Sequence, residues 1–254
     1  MRYVGSKNRI AKDLAPIIQS YITKDTKGYL EPFVGGANMI DKIKHHNKIG
    51  CDIHKELIAL LNKVKQDVDS IPNTILEDEY NKVKCNKKQF EDWYVGLVGF
   101  CASFGAKYFG GYARDGKNDT LGKWSTGAIK NLKKQAPNLK DIKFINCNFL
   151  DLPKDKIKGY VIYCDIPYKG TTKYKTNPFP YDKFYAWANE MAKYNTVLIS
   201  EYDMPEPFEC IWQKETKVNF DSNRTAGDDS NKRVEKLFLV NAKNRHICGG
   251  NQQL

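Results

Sequence analysis

Gly28-Tyr29-Leu30-Glu31-Pro32-Phe33-Val34-Gly35-Gly36 is the stretch from which the fold can be read. Gly28 to Phe33 has the look of a short strand, and Val34-Gly35-Gly36 turns the chain sharply at its end. A helix-period stretch, Ala37 to His46, follows. Lys48 to Asp52 is a second short strand, with a carboxylate at its C-terminal end. Beyond it Leu57, Leu61, Val64 and Val68 recur at helical spacing, the mark of an amphipathic helix. Strand, turn, helix, strand, helix is the opening of a doubly wound α/β sheet.

Downstream the pattern breaks at about Ile71. Helical pieces surround Trp93 to Phe104, and a Gly-, Tyr- and Lys-rich loop runs from Gly105 to Lys123. The α/β pattern then resumes with a strand at Ile142 to Cys147 and an apolar one at Gly159 to Cys164, as a strand covered on both faces requires. Phe184 to Tyr194 reads as a helix with Phe184, Trp187, Ala188 and Met191 on one face, and Thr196 to Ser200 as a buried strand. Ile211 to Asn219 and Lys236 to Asn241 read as two more strands, separated by a polar loop, Asp221 to Arg233. The expected organisation is a sheet domain made of residues 1–55 and 141–254, interrupted by a mainly helical insertion at 56–140.

A chain of 254 residues with 41% hydrophobic and 28% charged content can bury one substantial core. No apolar run reaches the ~20 residues that cross a bilayer, and the start lacks the apolar core of a secretory signal, so residence in the cytoplasm is the expectation. The seven cysteines are scattered without a Cys-x-x-Cys pair, so no metal site is expected and the thiols read as reduced. The net charge of +11 would draw a polyanion towards the surface, which makes nucleic acid a natural partner.

Ligands of open α/β sheets lie beyond the carboxyl ends of the strands. Phe33 to Gly36, Asp52, and Asp165 to Tyr168 all fall at such ends. Gly35 and Gly36 permit a close approach of backbone and ligand. Their turn is neither G-x-G-x-x-G nor G-x-x-x-x-G-K-[ST], so it is not built for a pyrophosphate or triphosphate. Asp52 follows Gly36 by 16 residues, close to the ~20-residue offset at which a carboxylate meets ribose hydroxyls. A Gly-Gly turn or a strand-end Asp taken singly is usually only structural. Together they fit an adenosine without phosphates, such as S-adenosylmethionine.

Asp165-Ile166-Pro167-Tyr168 resembles the Asp-Pro-Pro-Tyr motif of amino-methyltransferases. Glu31-Pro32-Phe33-Val34-Gly35-Gly36-Ala37 is similar to their Phe-x-Gly cofactor motif. Arg2-Tyr3-Val4-Gly5-Ser6-Lys7 resembles the segment that opens the Dam-type (D12 class) DNA adenine-N6 methyltransferases. Cys51-Asp52-Ile53-His54 looks like that family's ribose-binding strand end, and Asn148-Phe149 like its adenine-pocket segment. The resemblance spans residues 1 to about 241, with the motifs in the family's order.

It implies a Rossmann-like S-adenosylmethionine-dependent methyltransferase sheet whose insertion recognises the target. It also implies transfer of methyl to the N6 amine of a flipped-out adenine in a specific double-stranded DNA sequence. Tyr3, Lys7, Glu31, Phe33, Gly35, Gly36, Asp52, Phe149 and Asp165 would then hold the cofactor, and Asp165, Ile166, Pro167 and Tyr168 would be catalytic. The N6 lone pair is delocalised into the ring, so a carboxylate and a main-chain carbonyl that accept both N–H bonds would make it a better nucleophile. An aromatic ring would receive the extruded base. Ile166 departs from the usual proline, although Pro167 still biases it towards extended geometry.

In the insertion, Lys107, Tyr112, Arg114, Lys117, Lys123 and Trp124 interleave cations with aromatics and are the expected DNA contacts. Arg114 is the candidate for a bidentate guanine contact. The loop Asp221 to Arg233, with Arg224, Lys232 and Arg233, is a second candidate to close over base or backbone. A restriction endonuclease is a candidate cellular partner, and the sequence leaves the oligomeric state open. The competing readings are methylation of RNA adenine or of cytosine N4, and an inert nucleic-acid-binding module of the same fold.

Overall fold

Strands form at the places where apolar runs meet turn residues. The computed structural model of the chain describes residues 1–116, 121–168, 179–206, 208–217 and 232–240. Two compact units divide it, residues 1–23 with 28–152 and residues 24–27 with 153–254.

In the first unit, β1 (Gly28–Glu31), β2 (Lys48–Asp52) and β3 (Ile142–Asn146) run parallel, with β2 between the other two. The register pairs Glu31 with Gly50 and Asp52 with Asn146, which brings the carboxyl ends of the strands together. A side chain at Gly50 would stand 2.7 Å from Val34 Cγ2, so this glycine lets the turn after β1 lie against β2. α1 (Ala11–Ser20) buries Ala11, Leu14 and Ile18, one face at i, i+3 and i+7. α2 (Lys55–Gln66) buries Leu57, Ile58, Leu60, Leu61 and Val64, and it packs on α4 (Asp92–Cys101), α5 (Lys123–Leu139) and β3. α4 is buried from Val95 through Cys101 on all sides, as a central helix must be. α3 (Glu77–Cys85) packs on α4 through an amphipathic face that buries Tyr80 and Val83.

The helix expected over Ala37 to His46 does not form; only a single 3-10 turn, Ile40–Lys42, is present. The reason is local. Gly35 and Ala37 both take left-handed φ angles, +49° and +56°. The Asn38 amide meanwhile donates to Met1 O at 3.0 Å and to Ser6 Oγ at 2.8 Å, so the segment is held by the N-terminal stretch. Its apolar residues Met39, Ile40 and Ile43 are still buried, which is why their spacing resembled a helix.

In the second unit, β4 (Tyr160–Asp165) and β5 (Thr196–Glu201) are parallel, joined through α6 (Tyr181–Met191). α6 buries Phe184, Trp187, Ala188 and Met191, the face expected from its sequence. β7 (Lys232–Val240) is antiparallel to β5 on one side and to β6 (Phe208–Lys217) on the other, with a register shift between Cys210 and Trp212. Of the polar loop Asp221 to Arg233, residues 221–231 lie outside the described residues.

Candidate active site

The turn after β1 is fixed by backbone bonds before any ligand is considered. Val34 N–H donates to Cys51 O at 2.8 Å and Ala37 N–H to Val34 O at 2.9 Å. Gly35 N–H donates to Asp52 Oδ2 at 3.1 Å, and His54 N–H to Asp52 Oδ1 at 2.9 Å. Asp52 is thus oriented by the glycine turn on one side and the entry to α2 on the other. Burial pushes its carboxyl above the ordinary 3.8, opposed by the bonds from His54 and Gly35.

Tyr3 lies against both glycines. A Cβ at Gly35 would be 2.9 Å from Tyr3 Cε1, and one at Gly36 would be 2.8 Å from Tyr3 Cβ and from Asn38 Nδ2. The glycines leave room for Tyr3, which also packs on Phe100 with ring centroids 5.5 Å apart. Lys7 is buried in a 3-10 turn capped by Ser6. Glu31 is 2% exposed and accepts a 2.7 Å hydrogen bond from the Tyr29 hydroxyl. Phe33 and Phe149 are in ring contact at 5.3 Å, Phe149 from a short turn capped by Asn148 after β3.

Of the expected cofactor residues in this unit, Tyr3, Gly35, Gly36 and Asp52 therefore form one contact chain, and Phe33 and Phe149 form another. Two residues at this strand end were given no role of their own by the sequence, Ile53 inside the quoted Cys51–His54 segment and Asn146 outside any motif. Ile53 is 71% exposed beside Asp52, an apolar side chain offered outward where a ligand would lie. Asn146 Nδ2 donates to Asp52 O at 2.9 Å and Ile53 O at 3.0 Å, fixing the backbone that carries both. The exposure of Ile53 has no signature in the sequence.

In the second unit the chain leaves β4 at Asp165 and buries Ile166, 2% exposed, and Tyr168, 8% exposed. The Tyr168 hydroxyl donates to Glu235 Oε2 on β7 at 2.8 Å, and its ring meets Tyr202 edge-on at 4.4 Å. The Tyr181 hydroxyl donates to Pro167 O at 2.8 Å, which holds the middle of the tetrapeptide from α6. Burial, followed by the charges of Asp165 and Glu235, keeps the Tyr168 phenol neutral well above its ordinary range.

The loop before α5 is also well anchored. Gly111 N–H donates to the Tyr80 hydroxyl at 3.1 Å, Phe109 N–H to Gly99 O at 3.0 Å, and Ala113 N–H to Ala102 O at 2.9 Å. Tyr112 is half-buried and donates its hydroxyl to Ile75 O at 3.0 Å. Lys107 and Lys123 are exposed. Arg114 is exposed and paired through its guanidinium fork with Glu77, with Nε 3.2 Å from Oε2. Trp124 carries the Arg2 guanidinium 4.4 Å over its ring and stacks at 6.4 Å with Phe104, itself 59% exposed. Lys117 lies outside the described residues.

The sequence profile of the D12 class N6 adenine-specific DNA methyltransferases matches residues 3–93 and 94–225. The chain belongs to that family. Parallel strands covered by helices give the mixed α/β class expected from the sequence. A comparison with curated proteins found no match. Among solved structures, the chain is similar to the "Crystal structure of SMU.472, a putative methyltransferase complexed with SAH", at 11% identity and a TM-score of 0.36. That match covers 93% of this chain and 54% of the other, so the chain spans about half the length of the solved structure.

S-adenosylmethionine is the family's cofactor, and the residues present fit it. Asp52 is an acceptor held in place by two backbone amides, suited to ribose hydroxyls. The glycine turn admits no side chain, and Ile53 supplies apolar surface suited to a purine.

Proposed function

We propose that the protein transfers a methyl group from S-adenosylmethionine to the N6 amine of an adenine flipped out of a specific double-stranded DNA sequence. The observation that carries this reading is the end of β4. There a carboxylate, Asp165, is followed by a buried, neutral tyrosine held by Glu235, in a chain whose sequence matches an adenine-specific family.

Asp165 and the main-chain carbonyl of Ile166 accept the two N–H bonds of the amine. That draws nitrogen towards tetrahedral geometry and localises its lone pair. Tyr168 offers a ring for stacking, with its hydroxyl already engaged by Glu235, so no rotation of the phenol accompanies base entry. Asp52 orients the cofactor through the ribose, and Tyr3, Lys7, Glu31, Phe33, Gly35, Gly36 and Phe149 complete its holding set. When bound, the cofactor supplies an electrophilic methyl group on a sulfonium. The chain contributes position and charge complementarity, with no covalent step of its own.

Residues 56–140 act in this reading as the DNA reader. Lys107, Lys117 and Lys123 neutralise phosphates, Arg114 reads a guanine, and Tyr112 and Trp124 shape the surface that carries them. The +11 charge supports the polyanion as partner. Residence in the cytoplasm and a restriction endonuclease as cellular counterpart belong to the same reading.

The test is methylation of DNA by the purified chain with labelled S-adenosylmethionine, followed by nucleoside analysis. N6-methyladenine from DNA, lost in Asp165→Ala with the fold retained, is the expected result. N4-methylcytosine, label confined to RNA, or an active Asp165→Ala enzyme would each overturn it.

A further inference from the structure

Cys51 and Cys147 sit on neighbouring parallel strands at the ligand end of the first unit. Cys51 is the penultimate residue of β2, immediately before Asp52, and is paired in register with Ile145 of β3. Cys147 lies two residues beyond Ile145, so alternation puts its side chain on the same face of the sheet as Cys51. Its N–H donates to Asp52 O at 3.1 Å, which carries the strand pairing one step past β3. The two thiols influence one another across the strand pair, Cys51 fully buried and Cys147 partly open to solvent.

Their interaction separates the two thiols chemically. It holds Cys147 below the ordinary thiol range, while the same interaction and burial push Cys51 up. An outer sulfur with more thiolate character and an inner thiol within reach is the arrangement of a sensor cysteine beside its resolving partner. In a reducing compartment such a pair rests as two thiols and closes only transiently.

We propose that Cys51 and Cys147 form an oxidation site, in which a peroxide converts the pair to a disulfide and thereby alters the cofactor-binding strand ends. The Cys147 thiolate attacks the peroxide O–O bond, giving a sulfenic acid and, for hydrogen peroxide, one water after proton uptake. The Cys51 sulfur then attacks the sulfenic sulfur. The S–O bond breaks, the leaving hydroxide takes the Cys51 proton, and a second water departs. The dithiol loses two electrons and the peroxide gains them.

The consequence follows from position. Drawing the sulfurs together to bonding distance (~2.05 Å) shifts β3 against β2. On one side the shift bears on Asp52 and Ile53; on the other it bears on the Asn148–Phe149 turn. The effect on the cofactor rests on the function proposed above, whereas the disulfide itself does not.

The experiment uses the full chain, treated with hydrogen peroxide, quenched with catalase, alkylated under denaturing conditions and digested. A Cys51–Cys147 linked peptide, reversed by dithiothreitol and absent from Cys147→Ser, is expected. Hydrogen exchange should change over residues 48–54 and 147–152. Calorimetry should show S-adenosylmethionine binding weakened about tenfold, the size of one lost charge-assisted hydrogen bond, in the wild type alone. Cys51 and Cys147 remaining alkylatable while Cys85 or Cys210 is consumed would overturn the site. A linked peptide with unchanged exchange and unchanged affinity would overturn the coupling. If the reduced protein does not bind S-adenosylmethionine, the functional reading fails, and the linked peptide and the exchange pattern still decide the oxidation site.

Discussion

The hydroxyl of Tyr168 donates to the Glu235 carboxylate at 2.8 Å, tying the tetrapeptide after β4 to the antiparallel strand β7. Truncation of the acceptor in Glu235→Ala leaves a buried phenol short of this partner. We expect a loss of about 1–3 kcal/mol in stability, the range for an abandoned buried donor. Glu235→Gln keeps an acceptor oxygen and should recover most of that. Methyl transfer should fall more than cofactor affinity, because the ring proposed to receive the base is loosened while Asp52 is untouched. Urea unfolding and single-turnover transfer read the two effects. Equal losses in both variants would show that the charge of Glu235, not its hydrogen bond, is what matters.

Ile166→Pro restores the commoner motif. Ile166 precedes Pro167, which already biases it towards extended backbone. Its carbonyl direction should therefore survive the substitution. Its side chain is 2% exposed, so exchange for the smaller ring removes some packing. The expected outcome is transfer within about threefold of wild type, with a stability loss of about 1 kcal/mol. Loss of transfer in Ile166→Pro with cofactor binding intact would mean that the Ile166 N–H, which proline lacks, takes part in the site.

Much of this was legible in the sequence, for identifiable reasons. β2 appears at Lys48–Asp52, the span expected, because an apolar core bounded by turns and ended by a carboxylate has few other solutions. The face of α6 was readable since Phe184, Trp187, Ala188 and Met191 keep helical spacing. α1 was not anticipated: Pro16 stands inside it, and its helical signal rests on only Ala11, Leu14 and Ile18. The false helix at Ala37 arose because left-handed φ in a non-glycine residue is invisible to periodicity. In the site, the motif residues were named by pattern, but Glu235, Asn146 and Ile53 act through register and exposure, which exist only after the strands have paired.

Asp52 predicts a pH dependence of cofactor binding. Its folded carboxyl is raised above 3.8 by burial, so it takes up a proton earlier than an ordinary aspartate as pH falls. The ionised carboxylate is the better acceptor for ribose hydroxyls. Affinity should be full above the raised pKa and decline as pH drops through it, beginning at a higher pH than 3.8. Folding stability runs the other way, since the proton is bound more tightly in the folded chain. Asp52→Asn should bind about ten- to a hundredfold more weakly and lose the acidic decline. Calorimetric titrations of both proteins across the acid range check this; parallel profiles would exclude Asp52 as the titrating group.

In the proposed function, Arg114 would reach DNA only by leaving Glu77. Their side chains are 47% and 41% exposed, so the pair is worth at most about 1 kcal/mol and is easily exchanged for a guanine edge. Glu77→Gln should tighten DNA binding several-fold by removing a competing carboxylate, with a salt dependence that reflects one less repelling charge. Arg114→Ala should cost about 1–3 kcal/mol on the preferred sequence and much less on others. Fluorescence anisotropy with target and scrambled duplexes at several salt concentrations separates the cases. An Arg114→Ala protein that weakens equally on both duplexes would make this residue a phosphate contact instead.

Gly96 tests the packing of α4 on α2. It lies in α4, and a Cβ there would stand 2.2 Å from Glu56 O and 3.3 Å from Leu60 Cβ. The nearer atom is helix backbone at the start of α2 and cannot rotate away. Alanine is the better helix former by about 0.8–1 kcal/mol, so propensity alone would make Gly96→Ala stabilising. The clash reverses the sign. α2 and α4 must move apart, and overpacking of this kind costs about 1–3 kcal/mol, more where backbone blocks the space. A control in the same helix is Gly99→Ala, where the obstructing atoms belong to the rings of Tyr108 and Phe109 and stand at 2.7–2.8 Å. Those rings can swing, so Gly99→Ala should unfold the protein less but displace the loop that carries Lys107 and Arg114. The expected ordering is a larger drop in urea midpoint for Gly96→Ala and a larger loss of DNA affinity, relative to stability, for Gly99→Ala. A Gly96→Ala protein as stable as wild type would show that α2 and α4 do not approach at this point.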